Sequence, residues 1–129
     1  QQNPTTGYNI KGDPAGKIDL ESLCRAMGFN RVRVVDPNQL KEMDQVLKEE
    51  LAAEEPSVII TRSPCVMLKD VPKAPPLKVD ADKCNGCSLC MRIGCPALSL
   101  RDGKVEIDRT QCIGCQVCMQ MCHRNALIV

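Results

Sequence analysis

The sequence predicts an α+β chain made of two unlike parts, and three observations carry that expectation. Eight of the ten cysteines lie between positions 84 and 122, in two blocks that each have three thiols at x2, x2 spacing and a fourth further on. Residues 79–90 repeat as 107–118 at an offset of 28, with Asp80 matched by Asp108, so the C-terminal part reads as a pseudo-symmetric duplication. Upstream of it, helical and strand patterns alternate, the mark of an α/β layer with a parallel sheet. The expected division is an α/β part over residues 1–68, a Pro-rich linker over 69–78 and a cysteine-rich domain over 79–129.

Residues 1–17 hold Pro4, Gly7, Gly12, Pro14 and Gly16 and read as loop. Asp19 is an N-cap residue type, and Gly28 a stop signal, for a helix over 20–27. Leu20, Leu23, Cys24 and Met27 fall on one face of that helix, so Cys24 reads as a small core residue. Residues 31–36 alternate as a strand, and Pro37 is expected to open a second helix at its first turn. Leu40, Met43, Leu47 and Leu51 form its expected buried stripe, and Pro56 ends it. Ser57-Val58-Ile59-Ile60-Thr61 is a continuous apolar run, as in a strand covered on both faces. One β-α-β unit has too few elements to cover its own strands, so the rest of the sheet is expected outside this chain. Cys65 follows Pro64 just past that strand; ligands gather at such strand ends, but a structural thiol is the preferred reading.

Pro72, Pro75 and Pro76 make residues 69–78 a semi-rigid linker. Beyond it, residues 77–79 read as a short strand. Residues 97–100 and 104–107 flank Asp102-Gly103, a type I′ hairpin signal, and residues 127–129 supply a closing strand. The first cysteine block is Cys84-Asn85-Gly86-Cys87-Ser88-Leu89-Cys90 with Cys95-Pro96. The second is Cys112-Ile113-Gly114-Cys115-Gln116-Val117-Cys118 with Cys122-His123. Three thiols at every third position wrap three corners of a [4Fe–4S] cube, and Gly86 and Gly114 let the backbone approach it. The fourth thiolate must come from elsewhere. On the pattern of bacterial two-cluster ferredoxins, the fourth cysteine of each run serves the other cluster. Cluster I then takes Cys84, Cys87, Cys90 and Cys122, and cluster II takes Cys112, Cys115, Cys118 and Cys95. The gap before Cys95 is one residue longer than usual, and His123 stands where a Pro is usual. Residues 90–94 and 118–121 are expected to form one-turn helices. Ile93, Ile113, Val117, Met119 and Met121 are expected to hold water off the clusters. His123, the one histidine, reads as a surface or helix-end residue rather than a proton-coupling group.

Disulfides suit this cysteine density in small secreted chains, but tight x2, x2 runs are poor disulfide geometry. Zinc uses cysteine pairs in fours and would leave the third cysteine of each block idle. The chain is 43% hydrophobic yet 2% aromatic without Trp, so Val, Ile, Leu and Met must form the core, with clusters as staples. No apolar run is long enough to cross a membrane. No targeting segment shows at the start, and reduced thiols point to the cytoplasm. The absence of an initiating Met suggests a fragment, a processed chain or a cut boundary. Residues 1–68 carry 8 Lys and Arg against 10 Asp and Glu, a net −2; residues 69–129 carry 9 against 6, a net +3. Loading eight thiolates and two oxidised cores would bring the second part to about −1. That is less acidic than a freely diffusing carrier, and suits a built-in relay offering Lys69, Lys73, Lys78 or Lys83 to an acidic partner; a plain solvated surface is the bland alternative. Nothing points to nucleic acid or membrane partners.

With both parts in view, the chain resembles the C-terminal end of the alpha subunit of indolepyruvate ferredoxin oxidoreductases, in the 2-oxoacid:ferredoxin oxidoreductase superfamily. The matching stretches are Gln2-Asn3-Pro4-Thr5-Thr6-Gly7, Arg33-Val34-Val35-Asp36-Pro37, Ile59-Ile60-Thr61-Arg62-Ser63-Pro64-Cys65 and the cysteine blocks. Thr5 departs from the family's Pro-Gly-Thr-Gly loop. The resemblance implies a two-[4Fe–4S] ferredoxin-like domain preceded by the last β-α-β part of a thiamine diphosphate-binding domain. It implies that the whole enzyme uses thiamine diphosphate and Mg, bound by a motif outside this chain, to decarboxylate aryl pyruvates to acyl-CoA. It implies as partners the remainder of the alpha subunit, a beta subunit, and an external ferredoxin that accepts the electrons. The chain alone is expected not to catalyse decarboxylation. A stand-alone electron carrier, a zinc-bound interaction module and a ferredoxin subunit of a corrinoid- or hydrogenase-linked complex are the rival readings.

Overall fold

The computed structural model describes residues 5–68, 72 and 74–129. The expectations resting on Gln2, Asn3, Pro4, Lys69, Asp70, Val71 and Lys73 lie outside the described residues. The chain divides into two compact units, one of residues up to 37 with 41–62, the other of 38–40 with 63–129.

In the first unit, α1 (Leu20–Ala26) starts where the Asp19 side chain accepts a hydrogen bond from the Glu21 N–H at 3.0 Å, satisfying one free donor of the first turn. It ends at Met27, and Gly28 follows with φ of 95°, a value that suits a residue without Cβ. The apolar face expected to be buried is open: Met27 is 69% exposed, Leu23 is exposed, and Cys24 is only half-buried. Strands β1 (Arg31–Val35) and β2 (Ser57–Thr61) pair in parallel, from Arg31 opposite Ser57 to Val35 opposite Thr61. Parallel strands need a crossover, and α2 (Leu40–Leu51) supplies it. Pro37 does not open this helix, which begins three residues later.

The buried stripe of α2 is also rotated from the expected one. Val46 and Glu50 are buried, whereas Leu47 is exposed and Leu51 is 83% exposed. The cause is ionic. Arg31 and Arg33, two apart in β1, share a face of the strand. Arg31 grips Glu50 with two hydrogen bonds of 2.8 and 3.0 Å, and Arg33 reaches Glu49 at 3.0 Å and Glu50 at 3.4 Å. A buried carboxylate needs such partners, so the Glu50 face turns to the strand. The Arg31 hydrogen bond holds the Glu50 carboxyl below its ordinary value. Strand β2 is half-buried rather than covered on both faces, and its sheet has only two strands among the described residues.

The second unit is a duplication. β3 (Lys78–Val79) pairs antiparallel with β6 (Leu127–Ile128), and β4 (Leu98–Arg101) pairs antiparallel with β5 (Lys104–Ile107). Val79 opposite Leu127 is the counterpart of Ile107 opposite Leu98. The turn joining β4 to β5 has positive φ at both Asp102 (49°) and Gly103 (74°), as a type I′ turn requires. A 3₁₀ helix (Leu89–Ile93) and α3 (Val117–Gln120) occupy matching places in the two halves. Leu77, Cys90, Leu98, Val105, Cys118 and Leu127 form the core. Leu77 is 1% exposed, so the end of the Pro-rich segment anchors the core of this unit. No helix among the described residues is long and apolar enough to cross a membrane.

Candidate metal centre

Each cysteine loop begins with an aspartate turn. The Asp80 carboxylate accepts hydrogen bonds from the Asp82 and Lys83 N–H groups, at 3.1 and 3.3 Å, while its carbonyl accepts from the Cys84 N–H at 3.0 Å. Asp108 repeats this with the Thr110 N–H (2.8 Å), the Thr110 hydroxyl (2.6 Å) and the Gln111 amide (2.6 Å), and its carbonyl accepts from the Cys112 N–H at 3.0 Å. These turns set the direction from which Cys84 and Cys112 enter. The Thr110 hydroxyl, then the Gln111 side chain, pull the Asp108 carboxyl down to about 2. The Lys83 ammonium, 3.0 Å from Asp80, lowers that carboxyl too.

Past the first cysteine the chain must double back so that the next two thiols face the same point. Gly86 (φ 70°) and Gly114 (φ 69°) make that bend. A Cβ on Gly86 would stand 1.9 Å from the Gly103 carbonyl oxygen of the β4–β5 turn. A Cβ on Gly114 would stand 2.6 Å from the Ala74 carbonyl oxygen. Residues 74–75 thus take, in the second half, the place that the hairpin turn takes in the first. Ser88 (φ 57°) and Gln116 (φ 62°) are also left-handed, directly after the middle cysteine of each block. Such strain in side-chain-bearing residues is held only where surroundings enforce it, and it gathers at functional sites.

The thiols come together in two groups. A small cavity of about 20 Å³ is lined by Cys84, Cys87, Cys90 and Cys122, with Arg124 and Ala126 on its wall. Burial pushes the Cys90 thiol up, and charge on Cys122, Cys87 and Cys84 adds to the effect. Burial pushes Cys118 up to about 11, with Cys115, Cys95, Cys112 and Cys90 adding to it. Cys122 thus lines the cavity of the first block, while Cys95 and Cys90 are both near enough to bear on Cys118. Cys84, Cys95, Cys112 and Cys122 pack against the core, whereas Cys87 and Cys115 are exposed. Among the described residues no three His, Cys, Asp or Glu side chains converge closely enough to hold a single metal ion. Soft sulfur donors spread around a cavity suit an iron–sulfur cube, and a cluster's positive irons would offset both the burial and the added thiolate repulsion that raise Cys90 and Cys118.

Ile93, Met119 and Met121 pack against the core and Val117 is half-buried, but Ile113 is exposed, contrary to the expected shell. It lies at the loop tip, where the side chain at its counterpart Asn85 accepts from the Cys87 N–H at 3.3 Å. His123 and Cys65 are exposed. Sequence reasoning missed the turn-forming role of Asp80 and Asp108, the left-handed Ser88 and Gln116, and Arg124. The 28-residue repeat marked both pairs, since it keeps Asp against Asp and sets Ser88 against Gln116; nothing local marked Arg124.

Residues 76–123 match the 4Fe-4S dicluster domain family. The chain is 35% identical to indolepyruvate oxidoreductase subunit IorA of Methanothermobacter thermautotrophicus over 98% of its length, and 32% identical to that of Methanothermobacter marburgensis over the same share. It is 38% identical to IorA of Pyrococcus abyssi over 76% of its length. It spans 21% of the length of the two Methanothermobacter relatives and 16% of the Pyrococcus one. Paired cysteine loops, doubled core and relatives agree: residues 76–123 are a ferredoxin-like 4Fe-4S dicluster domain, in a chain related along nearly all its length to the IorA subunits of indolepyruvate oxidoreductase.

Proposed function

We propose that this chain is an electron relay within an indolepyruvate oxidoreductase, with cluster I on Cys84, Cys87, Cys90 and Cys122 and cluster II on Cys112, Cys115, Cys118 and Cys95. The observation that carries this reading is that Cys122 lines one cavity with the three cysteines of the first block; the 28-residue repeat supports the matching place of Cys95 with the second. When bound, a [4Fe–4S] cluster takes up and returns one electron at a time, at a potential set by its surroundings. The thiolates bind the irons. Leu77, Val105 and Leu127 keep water from the inner side. Cys90 and Cys118, both buried in the one core, face inward from their blocks and would lie between the two groups. Exposed Cys87 and Cys115 bring an outer corner of each group to the surface, where electrons enter and leave.

The division that accompanies this reading is residues 1–68 as the end of a thiamine diphosphate-binding domain, 69–78 as linker and 79–129 as ferredoxin domain. The rest of the enzyme, with thiamine diphosphate and Mg, would decarboxylate an aryl pyruvate to acyl-CoA. The half-buried β2 and the exposed Leu47 and Leu51 support docking of the first part onto the remainder of the alpha subunit. A beta subunit and an external ferredoxin acceptor complete the complex, in the cytoplasm. The test is iron, sulfide and zinc per chain on anaerobically purified protein, with visible spectra before and after dithionite. About eight iron and eight sulfide, with a brown band that bleaches, is the expected result. Colourless protein carrying zinc would overturn it.

A further inference from the structure

The two halves of the dicluster domain match closely except just after the fourth cysteine. Ala97 and Ala126 are structural counterparts: their carbonyls accept from the Asp108 and Asp80 N–H groups at 2.8 and 2.7 Å. Between Cys95 and Ala97 stands Pro96 alone, whereas His123, Arg124 and Asn125 stand between Cys122 and Ala126. The longer loop closes on itself. Asn125 is left-handed (φ 49°) and its N–H donates to the Cys122 carbonyl at 3.1 Å. This turns the Ala126 N–H back onto the Cys122 sulfur at 3.3 Å. The shorter loop also closes a turn, the Leu98 N–H donating to the Cys95 carbonyl at 3.1 Å, but among the described residues no N–H donates to the Cys95 sulfur.

The same loop brings Arg124 to the wall of the cavity formed by Cys84, Cys87, Cys90 and Cys122. Among the described residues no carboxylate pairs with it. A guanidinium stays charged at every accessible pH. Hydrogen bonds to the sulfurs and positive charge nearby both favour the reduced, more negative state of a cluster. Resting on the relay reading above, we propose that the loop after Cys122 makes cluster I the higher-potential centre, with Arg124 as the residue that tunes it. One electron then passes from the Cys95 group to the Cys122 group, with no bond broken and no proton moved, and the Cys122 side is where electrons collect.

The test is a potentiometric titration of the anaerobic holoprotein with dithionite, followed by electron paramagnetic resonance, on wild type, Arg124→Gln and Arg124→Lys. Two one-electron steps at different potentials are expected. Arg124→Gln should shift the reduction equilibrium of the higher step about tenfold toward the oxidised state, or 59 mV for one electron, and leave the lower step in place. Arg124→Lys, which keeps the charge, should recover most of the shift. The proposal is overturned if Arg124→Gln moves the lower step, moves neither, or if both clusters titrate together. Protein without reducible iron would instead overturn the relay reading, and this one with it.

Discussion

Two glycines of the first cysteine loop separate the cost of an unusual backbone conformation from the cost of a close approach. Gly86 and Gly94 have nearly the same φ, 70° and 69°. A Cβ on Gly94 meets nothing within 4 Å, whereas one on Gly86 would stand 1.9 Å from the Gly103 carbonyl oxygen. Gly94→Ala should therefore cost only the left-handed conformation, about 1–2 kcal/mol. Gly86→Ala carries that cost and must also drive the hairpin carbonyl back by at least 1.1 Å, from 1.9 Å to the 3.0 Å below which Cβ atoms essentially never approach another heavy atom. Forced repacking of that kind adds about 1–3 kcal/mol. Each added 1–2 kcal/mol is roughly a 5- to 30-fold change in an opening equilibrium. The assay is the rate of iron loss to a chelator under anaerobic conditions. Gly86→Ala should lose iron from the Cys84–Cys87–Cys90 group at least several-fold faster than Gly94→Ala. Equal rates in the two variants would refute the claim that close approach of the hairpin, rather than backbone conformation alone, demands glycine at position 86.

Cys95→Ala should abolish the cluster of Cys112, Cys115 and Cys118 and spare the other, leaving about half the iron and one magnetic signal; loss of the first block's cluster instead would mean that the fourth cysteines are not exchanged. Asp108→Ala should destabilise the second half at neutral pH and hasten iron loss there, since it leaves the Thr110 N–H and the Gln111 amide without their acceptor. Because the folded Asp108 carboxyl titrates at about 2, below its unfolded 3.8, its stabilisation is complete above pH 3.8 and fades as pH falls toward 2. Denaturant midpoints of wild type and Asp108→Ala, measured against pH, should thus converge at the acid end, and a constant gap would contradict the assignment.

What could be read from the sequence is what short-range chemistry decides. The Asp19 cap, the Asp102-Gly103 turn, the parallel β-α-β order and the short helices after the middle cysteines each depend on a few adjacent residues, and each is present. The cysteine spacing and its 28-residue repeat showed that two like loops face two like centres. Long-range partners decided the rest. The apolar pattern of α2 named Leu47 and Leu51 as buried, but Arg31 and Arg33 of β1 drew Glu50 inward instead. The run through β2 suggested cover on both faces, and cover depends on neighbouring layers rather than on the strand. Leu77 looked like the end of a linker and is the most buried side chain of the core. Most of all, two extra residues after Cys122 pass as a small irregularity in a string of letters. In three dimensions they turn the Ala126 amide onto the Cys122 sulfur and bring Arg124 to the wall of that group's cavity, because a loop's length fixes which atoms it can return to its own start.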